Sequence, residues 1–149
     1  MKVAPLTEDR FAEFVRLIRA LADYERLPPL DEPGMARLRA DAFAPRPRFE
    51  AALAVDDTGQ AIGYAIWFET YSSFLARPTM YLEDLFVLEQ ARGSGAGQLL
   101  FDHVRTLGRE RGCGRMDWQV LAWNTSARQF YDRRGARWLD DWLTYRIDY

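Results

Sequence analysis

Apolar residues recur at three- and four-residue steps through Phe11, Phe14, Val15, Ile18, Leu21 and Ala22, the spacing of one face of a helix. A short extended segment at 2–5 precedes it, and Thr7 is placed as its N-cap, with Glu8 and Asp9 set to favour the positive end. "LPPLDEPG" breaks the helix, and a second, shorter one is predicted from about Pro33 to Phe43. The pattern then changes. "FEAALAVDDTGQAIGYAIWFET" reads as two apolar strands around a D-D-T-G turn, and a loop containing Pro78 leads into the strand "TMYLEDLFVL". A helical pattern follows from about Gly95 to Arg111, then a strand "RMDWQVLA", then a helix capped by Asn124 and stopped by Gly135. "ARWLDD" and "WLTYRIDY" complete the chain as two strands. The order β-α-α-β-β-β-α-β-α-β-β predicts an α/β protein with a mixed sheet and helices on its faces.

The length of 149 residues suits a single domain with one core. With 48% apolar and 28% charged residues, the balance is that of an ordinary folded protein. A net charge of −2 gives no sign of a nucleic-acid partner or an anionic membrane. The single cysteine, Cys113, excludes an intrachain disulfide and a cysteine-based metal site and suits a reducing cytoplasm. No run reaches the length of a signal peptide or a membrane span. His103, the sole histidine, is expected on a helix surface, and no metal site is expected.

The candidate chemistry begins at "LEDLFVLEQARGSGAGQ", where Gly93, Gly95 and Gly97 alternate between a strand and a helix. A P-loop needs Lys followed by Ser or Thr after its last glycine, and here Gln98 and Leu99 follow. The dinucleotide fingerprint needs a further glycine where Gln98 stands, and an acid at the end of the next strand, whereas Asp117 opens that strand. What remains is a loop of backbone N–H groups at a helix N-terminus, uncrowded by side chains and fitted to a pyrophosphate.

"RGSGAG" after "LEDLFV" resembles the coenzyme loop of the GNAT superfamily of N-acetyltransferases, and the predicted element order resembles that fold along essentially the whole chain. "YLEDLFV" at 81–87, "WNTSARQFYDRRGA" at 123–136 and "LADYE" at 21–25 are similar to its diamine (spermidine/spermine) and thialysine branch. The resemblance implies acetyl-coenzyme A as co-substrate, bound by the loop Arg92, Gly93, Ser94, Gly95, Ala96, Gly97 and Gln98. It implies that the backbone of Leu85, Phe86 and Val87 pairs with the acetyl carbonyl and pantetheine arm, and that Asn124, Thr125, Ser126 and Ala127 also touch the coenzyme. It implies a small-molecule amine as acceptor, received by Tyr24, Glu25, Glu83, Asp84 and Asp141, and a homodimer.

The resemblance implies that two residues, Glu83 and Tyr131, carry the reaction. Glu83 and Asp84 are neighbours on a strand, so alternation sends one to each face and does not say which meets the cleft. A primary amine is mostly ammonium at neutral pH, and a carboxylate in the cleft can hold that cation and accept its proton. The resemblance implies Glu83 in that role. It implies that Tyr131 protonates the departing thiolate, which suits a phenol of pKa about 10 acting on a thiol of about 8.5.

One stretch departs from the branch. In "TYSSFLARP", Ser72 and Phe74 stand where the diamine enzymes carry an acid and an indole, and the loop is a residue longer. That weakens the case for a long polycation and leaves room for a shorter amine, or one with its own carboxylate, which Arg77 is positioned in sequence to serve. The expected activity is direct acetyl transfer to a primary amine in a ternary complex. The alternatives are a protein or peptide N-acetyltransferase and a non-catalytic acyl-coenzyme A binding domain, which needs neither Glu83 nor Tyr131.

Overall fold

The computed structural model describes all 149 residues, in two compact units, residues 1–118 and 119–149. In the first unit, β1 (Lys2–Pro5) leads through a 3-10 turn (Glu8–Arg10) into α1 (Phe11–Glu25) and α2 (Glu32–Ala42). There follow β2 (Glu50–Val55), β3 (Ala61–Ser72) and β4 (Arg77–Val87), a 3-10 turn (Glu89–Ala91), α3 (Ala96–Glu110) and β5 (Arg115–Trp118). The strands form one mixed sheet in chain order, antiparallel from β1 to β4 and parallel between β4 and β5.

Local chemistry accounts for most of these elements. Asp31 caps α2 by accepting from the Gly34 N–H at 2.7 Å, with Pro33 in the first turn, where its missing donor costs nothing. Asp56 closes the β2–β3 hairpin by accepting from the Thr58 N–H at 2.9 Å. Thr7 does not cap α1: the 3-10 turn intervenes, and no side chain caps either helix start there. Pro78 lies inside β4, opposite Tyr71, so the connection from β3 is the short turn at 73–76 rather than a loop reaching past the proline.

The two faces of the sheet are covered by different helices. Phe14 of α1 packs edge-on to Tyr64 of β3 at 5.3 Å, and Phe11, Leu17, Leu53 and Phe86 complete that side of the core. On the other face Leu100 and Val104 of α3 are buried, and His103 meets Trp67 edge-on at 5.6 Å. His103 therefore packs toward the sheet instead of lying on the helix surface, and burial holds its pKa below the usual value.

The second unit contains α4 (Thr125–Asp132), capped as expected by Asn124, whose side chain accepts from the Ala127 N–H at 3.1 Å. Beyond Gly135 (φ +76°) no strand forms. The two expected strands at 136–149 are absent although the alternation is there. A strand needs a neighbour to complete its hydrogen-bond ladder. Leu143, Tyr145, Ile147 and Tyr149, the apolar side of that alternation, are all exposed. β5 likewise ends at Trp118, shorter than the expected 115–122.

Candidate active site

The site begins with a fault in alternation. Leu82 pairs with Trp67 and Asp84 pairs with Ile66, so Glu83 is an extra residue with no partner on β3, a β-bulge. Before it, the even positions of β4 face α3: Met80 lies against Gly108, whose added Cβ would come within 3.2 Å. After it, the even positions face α1: Phe86 meets Tyr24 at 6.5 Å and Tyr64 at 6.2 Å between ring centroids. The bulge flips the strand. Glu83 and Asp84 therefore do not split between the faces as neighbours in a regular strand would. Both line one pocket of about 310 Å³ on the α1 side.

The rest of that pocket is mostly hydrocarbon. Ile18 of α1, Leu30, Leu38 of α2, Phe49, and Ile66 and Phe68 of β3 form its walls, with Arg48 beside them. Glu83 is exposed and Asp84 half-buried. The Tyr64 hydroxyl donates to Asp84 Oδ2 at 3.1 Å. Burial raises the Asp84 pKa to about 6; the Tyr64 hydrogen bond opposes the rise, and the charges of Glu83 and Glu25 add to it. Asp84 in turn, after burial, helps push the Tyr64 phenol well above its usual pKa. Glu25, at the end of α1, is raised by burial as well.

From this pocket an open edge leads to the glycines. The parallel ladder between β4 and β5 runs only from Thr79 to Leu82. From Glu83 through Leu85, Phe86 and Val87, β4 has β3 on one side and no strand on the other. That half-strand is available for an extended group to add to it. Its direction carries on into residues 92–97, where Gly93 (φ +81°) and Gly95 (φ +92°) take left-handed backbone conformations that favour glycine. Gly95 caps α3, and the first N–H groups of a helix have no acceptor within it. Ala96 N–H is met by Ser94 Oγ at 3.4 Å. An anion fits this turn on hydrogen-bonding grounds.

Arg92, at the start of the glycine turn, is engaged by the protein itself. Its guanidinium carbon lies 4.5 Å from the centre of the Tyr24 ring, and its Nε donates to the Val87 carbonyl at 3.3 Å. It therefore ties the end of α1, with Tyr24 and Glu25, to the strand and the glycine turn.

The remaining expected residues belong to the second unit. Asn124 serves as N-cap, with Thr125 and Ser126 exposed and Ala127 half-buried behind it. Tyr131 is half-buried on α4, edge-on to Phe130 at 5.3 Å. Asp141 is exposed in a turn.

Two polar residues that bear on the pocket were not singled out by the sequence: Arg48, which lines it, and Tyr64, which lies in the core behind it and bonds Asp84. Tyr64 lies in the apolar run "IGYAIWF" and reads as core, which its ring is. Arg48 lies in "PRPRF", which reads as connection. Arg77, by contrast, sits at the start of β4 opposite Ser72, six residues before Glu83 and so roughly 20 Å along the strand. It does not serve a substrate in this pocket. Phe74 is 98% exposed at the hairpin turn, and Ser72 accepts from the Leu75 N–H at 3.2 Å, so neither replaces the missing acid and indole.

Comparison with known proteins gives consistent matches. Residues 14–136 match the Acetyltransferase (GNAT) family. A thialysine N-epsilon-acetyltransferase of Mus musculus is 30% identical over 157 residues, covering 99% of this chain and 92% of that protein. An L-ornithine N5-acetyltransferase of Arabidopsis thaliana is 38% identical over 85 residues, 57% of this chain and 37% of that one. Among solved structures, a probable acetyltransferase superposes with a TM-score of 0.86 at 20% identity, covering 100% of this chain and 98% of that chain.

Proposed function

The chain belongs to the GNAT acetyltransferase family and is an N-acetyltransferase; from that premise we propose that it acetylates a primary amine of a small molecule, using acetyl-coenzyme A in a direct ternary complex. The observation that carries the reading is the bulge at Glu83, which brings two carboxylates into an apolar pocket beside an open strand edge. Relatives named for activity on thialysine and ornithine support an amine at the end of a short chain. A pocket of about 310 Å³ also favours a small acceptor over a folded protein.

Bound acetyl-coenzyme A supplies the activated acetyl group as a thioester. The N–H groups at 93–98 hold its pyrophosphate, and the edge of Leu85, Phe86 and Val87 aligns the arm and polarises the acetyl carbonyl. Asn124, Thr125, Ser126 and Ala127 add contacts at the start of α4. Glu83 and Asp84 hold the ammonium, with Tyr24 and Glu25 as further acceptor contacts; for Asp141 the resemblance alone supports the same role. Glu83 accepts the amine proton at the exposed lip of the pocket. Asp84, with a pKa of about 6, is a stronger base than an ordinary carboxylate and stays largely ionised at neutral pH. Tyr131 returns a proton to the sulfur.

The chain further acts as a homodimer in this proposal, in which the exposed alternation at Leu143, Tyr145, Ile147 and Tyr149 is covered by a second copy. Coenzyme A release, followed with acetyl-coenzyme A and a panel of small amines and peptides, tests the activity and the acceptor together. Turnover with small primary amines and none with peptides supports the proposal. Coenzyme binding without turnover on any amine would instead identify a binding module.

A further inference from the structure

The amine pocket carries a cation that the acetylation reading leaves unused. Arg48 lines the same cavity as Glu83 and Asp84. It lies on the segment entering β2, two residues before Glu50, and β2 is separated from β4 by β3. Asp84 pairs with Ile66 and Ile66 with Ala51, three residues after Arg48, so with strands near 4.8 Å apart and about 3.4 Å per residue the two backbones are roughly 14 Å apart on the diagonal. Between them the walls are hydrocarbon, with Ile66, Phe49 and Leu30 among them. The cavity thus has an acid pair on one side, Arg48 on the other, and apolar surface between.

Arg48 is held loosely. Its Nε lies 3.1 Å from Asp41 Oδ1, and its side chain is 79% exposed. A pair this open to water is weak and readily exchanged for another carboxylate. A guanidinium also offers paired N–H donors matched to a carboxylate's two oxygens.

We propose that Arg48 is a specificity determinant that binds an anionic group on the acceptor, so that the pocket prefers an amine carrying a carboxylate several carbons away over a diamine. The inference rests on the amine-acetylation reading and refines it. In a diamine, the group reaching Arg48 is a second ammonium, and the two cations repel. In an ω-amino acid, the ammonium meets Glu83 and Asp84 while the carboxylate displaces Asp41 from Arg48. The methylenes between them lie against Ile66 and Phe49.

Matched pairs of acceptors isolate the effect: lysine against 1,5-diaminopentane, and ornithine against 1,4-diaminobutane, each pair differing by a carboxylate. The native enzyme is expected to show the higher kcat/KM on the amino acid of each pair. Arg48→Gln should lower kcat/KM on the amino acids about tenfold through KM, leave kcat little changed, and leave the diamines equal or better. Arg48→Lys should restore most of the loss. Because the side chain is exposed, both variants should keep the native melting temperature. A native preference for diamines, or an amino-acid-to-diamine ratio unmoved by Arg48→Gln, overturns the proposal for Arg48 while leaving amine acetylation standing. A native enzyme that binds acetyl-coenzyme A but acetylates none of the four compounds overturns the acetylation reading, and the role of Arg48 with it.

Discussion

The Tyr64 phenol donates to Asp84 at 3.1 Å from within the core, where its ring is fully buried against Phe14. The bond favours the ionised carboxylate and so restrains the rise that burial imposes on Asp84, whose pKa stands at about 6. Tyr64→Phe keeps the ring and removes only that donor. The Asp84 pKa should then move further up, and the acidic limb of the kcat/KM profile should move with it if Asp84 must be ionised to bind or deprotonate the amine. A carboxyl titration followed by NMR, in native and variant protein, checks the first step independently of activity.

Asp84 should also cost the fold stability. A carboxyl whose pKa is about 6 when folded, against 3.8 ordinarily, binds more protons in the native than in the unfolded state between those values. Stability therefore falls as pH rises through that window and stays lower above it. Asp84→Asn keeps an acceptor for Tyr64 and removes the charge. The variant should gain about 1–2 kcal/mol at pH 8, the full shift of about 3 kcal/mol discounted for solvent at the pocket mouth, and little below pH 4. Denaturant midpoints at the two pH values decide it, and equal gains at both would contradict the linkage.

Coenzyme binding should depend on the backbone at Gly95. Its φ of +92° is a conformation that a β-branched residue rarely adopts. Gly95→Val should shift the turn and put a side chain where the pyrophosphate approaches. Affinity for acetyl-coenzyme A is expected to drop at least tenfold, about 1.4 kcal/mol, by calorimetry. Unchanged affinity in a folded variant would move the anion site elsewhere.

Tyr131 and Glu83 are separable by pH. Tyr131→Phe should leave fold and coenzyme affinity in place while turnover falls by roughly 10- to 10⁴-fold, the range of a positioned acid. The deficit of Glu83→Gln should instead shrink at high pH, where the acceptor arrives as free amine. Full turnover by Tyr131→Phe under conditions where chemistry limits the rate would leave the tyrosine a packing role alone.

The exposed alternation at the C-terminus predicts assembly. Light scattering should give a dimer mass at micromolar concentration, and Tyr145→Asp with Ile147→Asp should shift it to monomer by placing charge on the apolar side. Monomer mass throughout for the native chain would refute the dimer.

Much of this was legible because local signals and tertiary demands agreed. The steps of α1, the Asp56 turn, the Asn124 cap and the glycines before α3 each carry their own chemistry within a few residues. The bulge at Glu83 does not. Nothing in "YLEDLFV" marks an extra residue, since the fault is a relation to β3 and appears only when Leu82 and Asp84 are matched to Trp67 and Ile66. Hence the two acids were divided between faces that they in fact share. "WLTYRIDY" failed in the opposite sense: its alternation is real, but a strand is a property of two segments, and here only one is present. His103 misled because a polar atom on a ring says little about where the ring lies.

The bulge also divides β4 into two inheritances. Up to Leu82 the strand is fitted to α3, where Met80 rests on a glycine whose added Cβ would crowd it at 3.2 Å. From Asp84 onward it is fitted to α1 and to whatever the pocket holds. Each half can change with its own helix, because Glu83 between them has no ladder partner on β3 to hold the two in one alternation. Acceptor preference can therefore change across one end of a strand whose other end stays fixed for folding. A deletion at Glu83 would merge the halves and force one set of side chains through the sheet.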